Sequence, residues 1–167
     1  MHSSSAPDVL YVEDNPSDVD FTLHALSTCG LAKRVKVVRD GKEAVDYVFR
    51  TGPYQGLSPA DAPKLILLDL KLPKMTGLQV LQWIRADPGT KTLPVIILTT
   101  FEDDRDVVEI YRLGVTGYLV KPLRIDKFYE IAHPLLEGLE LSSKVLRSQG
   151  SGRPEPPPTA VKPRPGA

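Results

Sequence analysis

The sequence predicts a doubly wound α/β domain of the (βα)5 type, in which helices cover both faces of one parallel sheet. Short apolar runs alternate five times with stretches of helical periodicity. The central run, Leu65–Leu68, shows no polar alternation, as expected of a strand that is buried on both faces. Strands that alternate with helices in this way pair in parallel through right-handed crossovers.

The first strand–helix unit carries clear signals at its boundaries. The apolar run 9–12 is the strand, and Asn15 is placed to cap the helix that follows. Pro16 suits the first turn of that helix because its missing N–H would have no partner there. Gly30 is the residue type that commonly ends a helix, so we expect the helix to stop before it.

The second unit begins with strand 35–38 and is followed by a long loop. Asp40 and Glu43 have the spacing of a capping box, in which each side chain bonds to a free backbone N–H, and they open the second helix. The segment 51–63 is rich in Gly and Pro and is predicted to be a loop before the central strand.

The remaining elements follow the same alternation. The third helix stops before Pro88, and strand 95–98 leads to an acid-opened helix from about Glu102 to Gly114. The fifth strand is 118–120, and the last helix begins near Arg124. We therefore expect a folded domain at 8–147, between a flexible N-terminus (1–7) and a Pro- and Gly-rich flexible tail (148–167).

Composition argues against several classes of protein. The 21 basic residues balance the 21 acidic ones, so we expect no broad surface for nucleic acid or for a membrane. Cys29 stands alone, which excludes an internal disulfide and fits a reducing compartment. No apolar run has the length of a membrane span, and the first residues do not resemble a leader. These features predict a cytoplasmic protein.

Polar residues directly follow four of the predicted strands. In an open parallel sheet, ligands bind beyond the carboxyl ends of the strands, so these side chains are expected to meet at one edge. The residues are Glu13 and Asp14, Asp69, Thr99, and Lys121. Three carboxylates close together repel one another and favour a hard cation such as Mg²⁺. An Asp69 carboxylate can attack phosphorus to form an acyl phosphate, while Lys121 and Thr99 hold the transferred oxygens.

Each of these residues also has a purely structural explanation. Acids at strand ends often cap the next helix, a single Lys is usually a solvated charge, and Thr99 suits a strand. Asp69 is harder to explain in this way, because a charge that follows four apolar residues needs compensation if it is buried. The joint pattern at the correct strand ends favours a functional site.

From about Asp8 to the last helix, the chain resembles the receiver domains of two-component response regulators. The resemblance rests on four motifs: LYVEDNPSD, LILLDLKLPKMTG, VIILTT and GYLVKP. It implies a flavodoxin-like sheet of order 2-1-3-4-5. It also implies a phosphorylation switch that is not an enzyme, with a sensor histidine kinase as its partner.

Functional residues are carried over by their place in these motifs. Glu13 and Asp14 match the acidic pair that binds Mg²⁺, Asp69 matches the phosphoacceptor, and Lys71 matches the position whose backbone carbonyl ligates the metal.

The switch residues match in the same way. Thr99 and Lys121 correspond to the residues that contact the phosphoryl group, Tyr118 to the aromatic switch position, and Pro122 to a proline that is usually cis. Thr100 departs from the pattern, since alanine or serine is often found there and a bulkier side chain can slow phosphoryl access.

Further segments resemble the small regulators that serve bacterial phytochromes. These segments are EDNPSDVDFTLHAL, the loop around GPYQG, and IRADP. This closer resemblance implies a phytochrome histidine kinase as partner and a homodimer formed through the last helix and the neighbouring strand.

Three rival functions fit less well. A haloacid-dehalogenase-type phosphatase needs a second acid two residues after the nucleophile, where this chain has Lys71. A transcription factor needs a DNA-binding domain, for which the residues after Lys121 leave too little room. A receiver-like module that works without phosphate remains an alternative, although such modules usually lose the acidic residues that this chain keeps.

The segment after Pro134 bears on the predicted homodimer. Pro134 lies inside the expected last helix and should kink or break it. The segment then carries apolar residues with no obvious intramolecular partner: Leu135, Leu136, Leu139, Leu141, Val145 and Leu146. Left exposed, they would form a patch of the kind that marks an interface. Alternatively, Pro134 turns the segment back onto its own domain and buries the leucines.

Overall fold

The computed structural model describes residues 6–100 and 104–141 and contains the predicted five-stranded parallel sheet. Numbered along the chain, the strands lie in the order 2-1-3-4-5, as the resemblance implied. In chain order the elements are β1 (Val9–Val12), α1 (Pro16–Ser27), β2 (Val35–Val38), α2 (Gly41–Phe49), β3 (Leu65–Leu68), α3 (Gly77–Ala86), β4 (Val95–Thr99), α4 (Asp104–Arg112), β5 (Gly117–Val120) and α5 (Ile125–Ala132).

The core lies on both faces of the sheet. Every residue of β1, β3 and β4 is buried, which confirms that the three central strands are covered from both sides. One apolar cluster joins alternate strand residues to α1 and α5, and the other joins the remaining strand residues to α2 and α3. Burial on both faces explains why these runs lack polar alternation.

Side-chain caps begin the first two helices where they were predicted. The Asn15 carboxamide oxygen accepts hydrogen bonds from the N–H groups of Ser17 and Asp18. Asp40 accepts from the N–H of Glu43, whereas the Glu43 carboxylate accepts from the N–H of Arg39, one residue before the cap. The predicted capping box is therefore half formed, with its reciprocal bond shifted by one residue.

The segment 51–63 contains two short 3₁₀ turns, Gly52–Tyr54 and Pro59–Asp61, between its irregular parts. The Tyr54 ring packs edge-on against Tyr47 of α2, with ring centroids 4.9 Å apart. This contact anchors the loop to α2.

The chain after α5 folds back onto its own domain. Helix α5 ends at Ala132, two residues before Pro134, which confirms that the proline breaks it. Leu136 and Leu139 are buried, with 3% and 8% of their surface exposed, and they join the cluster under α1 and α5. The N–H of Glu140 donates to the carbonyl of Cys29.

The prediction of an apolar patch without an intramolecular partner is therefore wrong for Leu136 and Leu139. Leu135 and Leu141 are also packed against the same cluster, because the chain turns back at the proline. Val145, Leu146, the predicted tail (148–167) and residues 1–5 lie outside the described residues, as does the expected start of α4 at Glu102.

In the described part of the chain, no helix combines the length and apolar character needed to cross a bilayer.

Gly77 allows α3 to begin directly beneath the end of β3. A Cβ atom at this position would lie 2.2 Å from the carbonyl oxygen of Asp69 and 2.6 Å from the Cα of Leu70. The N–H of Gly77 donates to the Leu70 carbonyl at 2.8 Å, so the two backbones are held together. Since both obstructing atoms belong to the backbone, a side chain here must displace the segment that carries Asp69.

We expect Gly77→Ala to lower the free energy of unfolding by about 1–3 kcal/mol, the usual cost of overpacking a filled site. Gly56→Ala is the matched control, because a Cβ at Gly56 would meet nothing within 4 Å. Urea denaturation of both variants measures the difference. Equal stabilities would show that this close approach does not constrain the fold.

Candidate functional site

Three carboxylates meet at the carboxyl edge of the sheet, as the sequence predicted. One oxygen from each of Glu13, Asp14 and Asp69 lies within 4.8 Å of the others. Glu13 and Asp69 are buried, with 1% and 5% of their surface exposed, whereas Asp14 is exposed to solvent. The cluster is therefore open to solvent on the side of Asp14.

The strand register brings the carboxylates together. Val12 of β1 is paired with Leu68 of β3, so the residues that follow them, Glu13 and Asp69, leave the sheet side by side. The N–H of Asp69 donates to the Val12 carbonyl at 3.1 Å, and the N–H of Glu13 donates to the Val38 carbonyl at 3.0 Å. Each acidic residue is thus held by a backbone bond to the neighbouring strand.

Lys121 provides the compensating positive charge. Its ammonium group forms ion pairs with Glu13, with Asp69 at 3.1 Å and with Asp18 at 3.0 Å, and only 9% of its side chain is exposed. The N–H of Lys121 donates to the carbonyl of Thr99 at 2.7 Å, which fixes the end of β5 against β4. The peptide bond between Lys121 and Pro122 is cis, as the resemblance implied.

Burial and the neighbouring opposite charges have opposite effects on the pKa values of Glu13 and Lys121. The pKa of Glu13 is raised to about 7, chiefly because burial outweighs the hydrogen bond from Lys121, which lowers it; the neighbouring Asp69 charge contributes to the rise. Burial by itself would lower the pKa of Lys121, but its bonds to Glu13 and Asp18 outweigh burial and raise it. Lys121 is therefore charged, and a further cation would stabilise the ionised carboxylates.

The other predicted site residues lie around this centre. The backbone N–H of Lys71 faces an Asp69 carboxylate oxygen at 3.4 Å. Thr99 is buried at the end of β4, whereas Thr100 is exposed. Tyr118 is half-buried on β5, and its ring stacks on Tyr111 of α4 with centroids 6.3 Å apart.

Two residues near Lys121 and Glu13 were not predicted as site residues. Asp18 of α1 forms an ion pair with Lys121 across 103 positions of sequence. The Tyr11 hydroxyl lies 3.1 Å from the Thr22 hydroxyl and 3.4 Å from a Glu13 carboxylate oxygen. Burial raises the pKa of Tyr11, so its hydroxyl stays protonated and donates. A tyrosine inside an otherwise aliphatic strand is a signal of Tyr11's role, because a buried hydroxyl needs a partner.

The donor set fits a hard divalent cation. Carboxylate oxygens from three residues lie within 4.8 Å of one another, close enough to surround one cation, and Asp14 leaves the cluster open to water. Cysteine and histidine are absent from this group, so a soft metal has no matching ligand there.

Comparison with known proteins agrees with this architecture. Residues 9–133 match the family model of the response regulator receiver domain. Response regulator Rcp1 of Synechocystis sp. is 35% identical over 132 residues, which cover 79% of this chain and 85% of Rcp1. The Mn²⁺-bound structure of Rcp1 superposes with a TM-score of 0.65 at 33% identity and covers 82% of this chain and all of that one.

Two further structures belong to regulators named for phytochromes. The bacteriophytochrome response regulator AtBRR is 43% identical with a TM-score of 0.69, over 78% of this chain and 93% of that one. The phosphorylated cyanobacterial phytochrome response regulator RcpA is 34% identical with a TM-score of 0.67, over 83% of this chain and all of that one. By its fold, its strand-end residues and these matches, the chain belongs to the receiver-domain family of two-component response regulators.

Proposed function

We propose that this protein accepts a phosphoryl group on Asp69 from a sensor histidine kinase and acts as a Mg²⁺-dependent switch. The observation that carries the proposal is the position of Asp69: it follows the central strand and lies beside the Glu13 and Asp14 carboxylates and the Lys121 ammonium group. A buried aspartate in this setting combines a nucleophile with a nearby positive charge.

The transfer requires only groups that the site and the kinase supply. An Asp69 carboxylate oxygen forms a bond to phosphorus while the bond from phosphorus to the kinase histidine nitrogen breaks. The nitrogen keeps the electron pair of that bond, and the product on this chain is an acyl phosphate. Lys121, 3.1 Å from Asp69, is placed to hold a transferred oxygen, and the Thr99 hydroxyl is proposed to bind another.

Glu13, Asp14, Asp69 and the backbone carbonyl of Lys71 are the proposed magnesium ligands. When bound, the cation reduces the repulsion between an anionic donor and the Asp69 carboxylate. Glu13 would hold the cation from a buried position beside Lys121, and Asp14 would hold it from the side that is open to solvent.

A surface formed by α4, β5 and α5 is proposed to transmit the signal. A phosphoryl group on Asp69 draws Thr99 toward it and leaves space for Tyr118 to move inward. Because Tyr118 stacks on Tyr111, its movement changes the contact between β5 and α4.

The proposed partner is a phytochrome histidine kinase, because the regulators that this chain resembles are named for phytochromes. The receiver domain is proposed to span residues 8–147 and to act in the cytoplasm through protein contacts, without a catalytic or DNA-binding role of its own.

The same surface is proposed to form a homodimer. Val108, Tyr111 and Val120 are 39%, 36% and 45% exposed on α4 and β5, although all three are large and apolar. Strand β5 also lies at the edge of the sheet, where its outer side is available for pairing. These residues replace the buried leucines as the support for self-association.

Incubation with acetyl phosphate and Mg²⁺ should add one phosphoryl group to the wild-type chain and none to Asp69→Asn, because the amide is not a nucleophile toward phosphorus. Intact-mass spectrometry measures the addition, and transfer from a phosphorylated phytochrome kinase tests the proposed partner. Asp46→Asn is the control, because it removes a carboxylate of α2 that binds Lys42 and does not belong to the acidic cluster. Equal labelling of Asp69→Asn would refute the mechanism.

Asp14→Ala should weaken Mg²⁺ binding strongly. Loss of an outer-shell partner already costs about 10- to 100-fold in metal affinity, and loss of a ligand should cost at least as much. Isothermal titration calorimetry compares this variant with Asp20→Ala, which removes an exposed carboxylate from α1. An unchanged titration for Asp14→Ala would place the metal elsewhere.

Sedimentation velocity at micromolar concentration should show a dimer for the wild-type chain. Val120→Glu should shift it to a monomer, since a charge in an apolar contact must be desolvated. Phe21→Ser, which removes an exposed aromatic ring from α1, should leave the dimer intact. A wild-type monomer both with and without beryllofluoride would refute this interface.

A further inference from the structure

Asp18 occupies a position that the proposed phosphorylation site does not explain. It lies in the first turn of α1, and its carboxylate is 3.0 Å from the ammonium nitrogen of Lys121. An ammonium group has three donor hydrogens, and Lys121 faces three carboxylates: Glu13, Asp18 and Asp69. Before phosphorylation, every donor of Lys121 thus has a partner.

Lys121 must release one of these partners to bind a phosphoryl oxygen. Releasing Glu13 is costly because only 1% of its side chain is exposed, so water cannot replace the ammonium group as its hydrogen-bond donor. Asp69 itself carries the new group and stays beside the lysine. Asp18 is 39% exposed, so water can replace the ammonium group as its partner.

The surroundings of Asp18 leave its side chain free to turn away. A cavity of about 410 Å³ lies against it and is also lined by Phe21, Thr100 and Pro122. The backbone of Asp18 is held, because its N–H donates to the Asn15 side chain at 3.2 Å and its carbonyl lies 3.4 Å from the Tyr11 hydroxyl. Release of Lys121 therefore requires a side-chain rotation only.

We propose that Asp18 is a positioning residue that holds Lys121 in the unphosphorylated protein and competes with the phosphoryl group for its third donor. The inference rests on the proposed function of Asp69. The Lys121–Asp18 ion pair stabilises the unphosphorylated state and is lost on phosphorylation.

Asp18 also has a structural role, since an acid in the first turn of a helix stabilises the positive end of the helix dipole. That role affects the stability of α1 in both states alike and does not change the affinity for a phosphoryl group. An affinity measurement therefore separates the two roles.

The test measures the binding of beryllofluoride in the presence of Mg²⁺ to the full chain by calorimetry. Asp18→Asn should bind about two- to fivefold more tightly than wild type, the range expected when a partly exposed ion pair no longer competes. Asp20→Asn is the matched control on the same helix, where the carboxylate is exposed, and it should bind as wild type does.

A double-mutant cycle assigns the effect to Lys121. In a Lys121→Met background, Asp18→Asn should leave the affinity unchanged, because the donor for which Asp18 competes is gone. Unchanged or weaker binding by Asp18→Asn alone, or an equal gain in the Lys121→Met background, would overturn the proposal. A wild-type chain that neither binds beryllofluoride nor takes up a phosphoryl group would instead refute the proposed function, and this inference with it.

Discussion

The placement of one ammonium group among buried carboxylates is the constraint on which the site depends. Glu13 and Asp69 follow buried strands, and carboxylates in that position are costly unless a counter-charge reaches them. Lys121 supplies that charge from the end of β5, and its own burial is offset by the same acids. Removing either side of this arrangement would leave an uncompensated buried charge, which costs more than the pair contributes. The site is therefore stable only when Glu13, Asp69 and Lys121 are all present.

The parallel sheet gives this set its geometry. Backbone bonds tie Glu13 to β2, Asp69 to β1 and Lys121 to β4, so each functional residue is held by a neighbouring strand. The close approach of Gly77 to Asp69 adds a second constraint from α3. A site built on strand ends keeps its positions while the loops around it differ, which is consistent with the superposition of this chain on regulators with 33–43% identity.

The local sequence of the C-terminal segment is compatible with two different structures. An apolar run after Pro134 fits both an exposed interface and a segment that covers its own domain. The choice depends on the direction of the chain after the break, which local sequence does not specify. In the structure Leu136 and Leu139 complete the cluster under α1 and α5, whereas α4 and β5 carry three exposed large apolar residues: Val108, Tyr111 and Val120.

From the sequence alone we could predict the five strand–helix units, the caps of the first two helices, and the acids, hydroxyl and lysine at the strand ends. These features are local, because periodicity, capping and strand ends are written in neighbouring residues. The partners of Lys121, in contrast, could not be predicted from the sequence. Asp18 looks from the sequence like an acid that stabilises a helix end, and its ion pair spans 103 positions. The contact between the Tyr11 hydroxyl of β1 and the Thr22 hydroxyl of α1 likewise depends on the tertiary structure. These contacts depend on how α1 packs against the sheet, and no local sequence pattern specifies that packing.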